Sequence, residues 1–244
     1  MNRLLLESSE ITGDTAVFTG ERAEHILKVL HGEVGQTLKT GEIGGRIGLS
    51  TITAIDKALV TVSVNHDAEP LPSWVDLILA PPRPRVMKRL LPQLSTLGVG
   101  RIVLVGAGKV EKDFWGATLL KEENYRPLLI DGLMQGAVST ELPLLTVRRN
   151  FRAFLRDELE TMFPGTRRLV AHPLKDGDEG VKTPERPLPE DGRRLVLAVG
   201  PEGGWTDDEV ARLEACGFDR YSLGRRILRT DTALIALLAQ LMEK

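Results

Sequence analysis

Two hydrophobic patterns divide this chain. Through residues 1–70, short apolar runs such as Ala16–Phe18, Thr51–Ile55 and Leu59–Val64 alternate with Gly, Asp and Asn. Such runs, bounded by turn formers, predict the strands of a small β-barrel or sandwich. One helix interrupts them at about Glu21–Leu30, with Ile26, Leu27 and Leu30 on one face and Gly32 as its stop. The Glu-Pro-Leu-Pro-Ser stretch at 69–73 reads as a linker.

From Trp74 onward the pattern lengthens. Strands are predicted at Val75–Ala80, Ile102–Val105, Leu169–Ala171, Leu195–Val199 and Arg220–Leu223. Helices are predicted between them at Val86–Leu97, Tyr125–Ala137 and Phe151–Met162. Strands alternating with helices predict an α/β domain over 74–244 with a mainly parallel sheet, beside the β-rich domain over 1–70. The Pro-, Gly- and charge-rich stretch 173–192 reads as a surface loop.

Composition changes this picture little. The 244 residues carry a formal charge of −2, so any nucleic-acid contact must come from a local basic patch. Cys216 is the only cysteine, which excludes an internal disulfide and a cysteine-based metal site and fits a reducing cytoplasm. No metal is expected. No apolar run has the length of a signal peptide or a membrane span, so no membrane partner is expected.

The candidate chemistry lies near the C-terminus, in two segments that each lead from an apolar run through a polar loop into a helix. In Val199-Gly200-Pro201-Glu202-Gly203-Gly204-Trp205, the glycines permit close approach of a ligand to the main chain. Thr206 and Glu209 then form a capping-box signature. In Leu223-Gly224-Arg225-Arg226-Ile227-Leu228-Arg229-Thr230-Asp231, three arginines and an aspartate precede the apolar helix face of Leu234, Leu237, Leu238 and Leu241. Loops between a strand's carboxyl end and a helix are where open α/β sheets bind ligands. Arg226 and Arg229 have two readings: ion pairs with Asp231, or contacts with RNA phosphate or with charge on a base. Two other glycine clusters carry no such signal. Val105-Gly106-Ala107-Gly108-Lys109 has Val103 where a phosphate loop needs its first glycine, and Val110 where it needs Ser or Thr. Gly41–Arg46 lacks dinucleotide-loop spacing.

The two C-terminal segments resemble the cofactor loops of the SPOUT (trefoil-knot) RNA methyltransferases, and most nearly those of the 16S ribosomal RNA uracil-N3 methyltransferases. The resemblance implies a deep trefoil knot that holds S-adenosylmethionine. It carries cofactor contacts to Gly200, Gly203, Leu223, Gly224, Ile227 and Leu228, with His172 beside them. It also implies a PUA-like RNA-binding barrel at the N-terminus, around Arg3 and the His25–Leu30 run, and a homodimer built through the C-terminal domain. Expected RNA contacts are Arg3, Arg22, Lys28, Arg83, Arg85 and Arg226. The substrate implied is an unpaired uridine of 16S ribosomal RNA in the small subunit, at decoding-region position 1498. Arg229 is the residue expected to orient or stabilise the uracil, with Glu202 and Asp231 as candidate bases. Glu202 has a second reading, as a cap on its own loop. This chain departs from the family at His31, at Lys88, at Val138 (where the family's Gln-x-x-Arg has its arginine) and at Asp231. Two further readings stay open: a methyltransferase of this fold acting on another RNA site, and an RNA-binding module without catalysis.

Overall fold

The computed structural model describes residues 2–173 and 193–242. The stretch read as a surface loop lies, from 174 to 192, outside the described residues. The chain divides into two compact units, Met1–Pro72 with Leu129–Leu142, and Ser73–Leu128 with Pro143–Lys244. The hydrophobic pattern alone groups residues 129–142 with the second region.

The first unit is a six-stranded mixed sheet in the order β1-β4-β5-β6-β3-β2. Its strands are β1 Leu4–Leu6, β2 Ile11–Thr12, β3 Thr15–Phe18, β4 Thr37–Glu42, β5 Ile47–Asp56 and β6 Leu59–Ala68. β1 runs parallel to β4 and the other pairings are antiparallel. The register of β5 on β6 shifts near Gly48, where a Cβ would stand 2.0 Å from the Asn65 carbonyl oxygen, so only glycine fits there. Alternate residues of these strands, among them Phe18, Leu38, Ile52, Val60 and Val62, fill one core. The expected ten-residue helix is α1 (Gly20–Glu24) followed by a π-helical turn over His25–Val29. Leu30 N–H donates to the His25 carbonyl at 3.0 Å and Gly32 N–H to that of Ile26 at 2.9 Å, which widens the last turn. Ile26 is therefore buried while Leu30 is exposed.

The second unit is a six-stranded sheet in the order β12-β10-β11-β7-β8-β9, parallel throughout. Its strands are β7 Val75–Leu79, β8 Val99–Val105, β9 Leu144–Arg148, β10 Arg168–Ala171, β11 Leu195–Val199 and β12 Asp219–Tyr221. The helices that follow α1 are α2 Pro84–Thr96, α3 Glu122–Gly136, α4 Phe151–Asp157, α5 Leu159–Met162, α6 Asp207–Ala215 and α7 Thr230–Leu241. Fully buried apolar strands such as Leu195–Val199 are what a sheet covered on both faces demands. Ile78, Val103, Val196 and Ala198 pack with Phe151, Phe154, Val210 and Leu213 in one core. α2 packs on α7, each burying a leucine face. Several elements differ from the sequence expectation, among them β8, which starts at Val99 and not Ile102. β9 had no predicted counterpart. The helix read as Phe151–Met162 breaks at Glu158, whose φ of −120° is not helical. β12 ends at Tyr221, which leaves Ser222 and Leu223 to the loop beyond it.

Candidate active site

Four neighbouring parallel strands, β12, β10, β11 and β7, bring the ends of β10, β11 and β12 together. His172 N–H donates to the Tyr221 carbonyl at 3.1 Å, so β10 and β12 stay joined beyond their strand ends. The loop after β11 turns at once: Gly204 N–H donates to the Pro201 carbonyl at 2.8 Å, with Gly204 at φ +67°. Gly200 stands so close to this turn that a Cβ there would lie 2.9 Å from the Trp205 nitrogen. Thr206 caps α6 as its sequence predicted. Its Oγ1 accepts from Glu209 N–H at 3.3 Å, and Glu209 Oε2 accepts from Thr206 N–H at 2.8 Å. The loop after β12 is shaped by Ser222, whose Oγ accepts from Gly224 N–H at 3.0 Å, and by Gly224 at φ +104°.

These loops enclose a cavity of about 510 Å³, within the range of small-molecule sites. All seven positions expected at a cofactor line it: His172, Gly200, Gly203, Leu223, Gly224, Ile227 and Leu228. Glu202 and Arg226 line it as well, whereas Arg229 and Asp231 do not. Sequence reasoning missed Lys109, Trp205, Tyr221 and Leu237, which also line it. Trp205 is buried and stacked on Phe151 with ring centroids 5.4 Å apart, and its indole N–H has no partner among the described residues. Burial raises the Tyr221 phenol above its ordinary value, so it stays protonated at neutral pH.

Both candidate bases are engaged elsewhere than expected. Glu202 Oε1 accepts from the main-chain N–H of Arg83 at 3.0 Å, so it caps the entry to α2 and not its own loop. Asp231 pairs with Arg89 at 3.3 Å, and not with Arg226 or Arg229. The side chain of Arg229 is exposed at the N-cap of α7.

Of the expected RNA contacts, two are committed internally. Arg3 donates to the carbonyls of Ala137 at 2.7 Å, Thr40 at 2.5 Å and Gly48 at 3.0 Å. Arg22 donates to the Leu5 carbonyl at 2.8 Å and pairs with Glu10. Lys28 makes only an exposed pair with Glu24 at 3.3 Å. In the Arg83–Arg89 cluster, Arg83 pairs with Glu111 at 2.9 Å, which raises its pKa further. Arg85 and Lys88 are exposed and make no side-chain bond among the described residues, and the same holds for Arg226.

The RNA methyltransferase domain family matches residues 69–242. Ribosomal RNA small subunit methyltransferase E of Treponema pallidum (strain Nichols) is 33% identical over 98% of this chain and 90% of its own length. The chain belongs to this methyltransferase family. A second member, ribosomal RNA small subunit methyltransferase E 1 of Borreliella burgdorferi, is 27% identical over 97% of this chain and 95% of its own. The fold agrees with the crystal structure of a ribosomal RNA small subunit methyltransferase E from Neisseria gonorrhoeae bound to S-adenosyl methionine. That structure has a TM-score of 0.73 and 24% identity, over 98% of this chain and 96% of that one.

Proposed function

We propose that this protein transfers a methyl group from S-adenosylmethionine to N3 of a uridine in 16S ribosomal RNA of the small subunit, at the decoding-region position 1498. One observation carries the reading: the two glycine loops and the end of β10 meet around a single cavity, on a chain whose family acts on small-subunit ribosomal RNA.

The cavity fits the cofactor. Its volume suits a nucleoside-sized ligand, Gly200 leaves space beside the main chain that a Cβ would fill, and Trp205 brings an unpartnered indole N–H to the wall. Gly200, Gly203, Leu223, Gly224, Ile227 and Leu228 would hold it, with His172 closing one end. Bound S-adenosylmethionine supplies a sulfonium-activated methyl group. The rest of the chemistry falls to the protein. N3 of uracil must lose its proton, and the resulting imide anion must be stabilised. Glu202 and Asp207 are the carboxylates that line the cavity, and Glu202, whose Oε2 is not used on Arg83, is the one assigned the proton. The guanidinium of Arg229, exposed at the N-cap of α7 next to the cavity-lining Thr230, orients the base and offsets the imide charge, and Arg226 lines the cavity itself. Asp231 holds Arg89 in place. N3 lies on the pairing edge, so the uridine enters unpaired.

Further parts of the reading concern assembly. The C-terminal loops form a trefoil knot in this reading, on a sheet where β11 lies between β10 and β7. The first unit serves as a PUA-like RNA-binding barrel in a two-domain chain divided near residues 70–74, and Lys28, Arg85 and Arg226 supply phosphate contacts. The protein is a cytoplasmic homodimer joined through the C-terminal domain. Ile227 at the cavity rim is 89% exposed, an apolar side chain that a second subunit would cover. No helix among the described residues is long and apolar enough to cross a membrane.

The test is transfer of labelled methyl groups by the purified protein to small ribosomal subunits from a strain lacking it. Label in 16S ribosomal RNA supports the reading. Absence of label, with the cofactor still bound, would favour an RNA-binding module without catalysis.

A further inference from the structure

The Gly106-Ala107-Gly108-Lys109 segment is not a phosphate loop, yet its geometry gives it another task. It follows β8 and reaches the glycine loop that walls the cofactor cavity. Gly108 N–H donates to Glu209 Oε1 at 2.7 Å. The other oxygen of the same carboxylate accepts from Thr206 N–H at 2.8 Å. One side chain therefore ties the turn after β8 to the residue that ends the glycine loop. Glu209 is only 7% exposed, so neither donor has water as a ready substitute. Lys109 makes the second tie: its Nζ donates to the Gly203 carbonyl at 2.8 Å, and its stem lies where a Gly203 Cβ would come within 2.8 Å of Cδ. The turn is fixed from behind, because a Cβ on Gly106 would stand 2.0 Å from the Arg149 carbonyl oxygen.

We propose that Glu209 and Lys109 are positioning residues for the methyl-donor pocket, bracing the Gly203–Thr206 wall against the turn after β8. This rests on the functional reading above, and adds that the donor's affinity is set from a strand the two cofactor motifs do not include. Rigid support lets a loop meet its ligand without first being ordered. The brace acts on donor binding more than on the chemical step, because neither residue is assigned to the uracil.

The experiment uses the full-length protein with S-adenosylmethionine as the probe, by calorimetry, and methyl transfer to small subunits as the rate assay. Glu209→Gln keeps the size but has one acceptor oxygen for two N–H donors. Lys109→Met keeps the stem and removes the ammonium. Each is expected to weaken donor binding about tenfold, the effect of one lost hydrogen bond to a charged group. The rate at saturating donor should stay within about twofold of wild type. Asn150→Ala supplies the control for stability alone. It removes the cap on α4, where Asn150 Oδ1 accepts from Ala153 N–H at 3.0 Å, and should lower the melting temperature without weakening donor binding. The Glu209→Gln/Lys109→Met double variant should lose less than the product of the single losses, because both ties hold one wall.

If wild type binds no S-adenosylmethionine, the functional reading fails and takes the brace with it. If wild type binds and both single variants bind equally well, the brace alone is refuted. Independent, multiplying losses would mean that Lys109 acts on the ligand directly, which also overturns it. So would a loss in Asn150→Ala equal to that in Glu209→Gln, since stability would then explain both.

Discussion

Gly200→Ala is the sharpest perturbation of the pocket. The added methyl would meet the Trp205 nitrogen at 2.9 Å, and the Gly204 carbonyl carbon and Trp205 Cδ1 at 3.2 Å each. Two of these atoms are backbone of the same tight turn, so no side-chain rotation relieves the contact. The turn must open, or Trp205 must slide off Phe151. Overpacking of this kind costs about 1–3 kcal/mol. If the loop relaxes outward in the free protein, donor binding must restore the original geometry against that cost. At about 1.4 kcal/mol per factor of ten, the affinity for S-adenosylmethionine should fall roughly ten- to a hundredfold. Gly116→Ala, with nothing within 4 Å of its Cβ, serves as the comparison in the same unit. Isothermal calorimetry reads the affinity and scanning calorimetry the stability. A Gly200→Ala protein with wild-type melting and an affinity within twofold of wild type would refute the assignment of this turn to the donor pocket.

Other outcomes follow from the same geometry. Arg229→Ala should leave the melting temperature nearly unchanged, because the side chain is exposed, and should cut methyl transfer by about 10²-fold if the guanidinium stabilises the imide anion; parallel losses in melting and rate would count against that role. Burial holds the His66 imidazole below its ordinary value, and its Nε2 lies 2.9 Å from Thr40 Oγ1. The unfolded chain therefore takes up this proton first, so stability should be level above about pH 6.5 and decline as pH drops from there toward the folded value; a His66→Gln protein that keeps the same slope in denaturant titrations would exclude His66 as its source. Light scattering at micromolar concentration should give twice the chain mass of 26.9 kDa, and a monomer mass would contradict the homodimer.

The parts of the fold that local pattern controls were legible in the sequence. Leu195–Val199 reads as a strand because all five residues are apolar, and all five prove buried, while Thr206 with Glu209 declares the start of α6. β9 escaped because it is a half-buried edge strand carrying Thr146 and Arg148, so neither an apolar run nor a clean alternation marks it. Charge misled where long-range contacts decide. Arg3 and Arg22 look like phosphate ligands in the sequence, but carbonyls and a glutamate from distant segments engage several of their donors. The two loops that line the cavity announced themselves through glycine and strand-end position. Lys109, Tyr221 and Leu237 reach the same cavity from other elements, and no spacing along the chain relates them to Gly200. The segment Leu129–Leu142 shows the same limit, since its place in the first unit rests on pairings such as Asn2 and Arg3 N–H with the Met134 carbonyl.

The identity of the product is read by mass mapping of modified nucleosides. Small subunits from a strain lacking this protein are incubated with the purified enzyme and S-adenosylmethionine, and the 16S ribosomal RNA is digested and sequenced by mass. The expected product carries a single added methyl group, on N3 of the decoding-region uridine at position 1498, absent when Gly200→Ala replaces wild type at limiting cofactor. A methyl group on another nucleotide, or on another atom of that uridine, would contradict it.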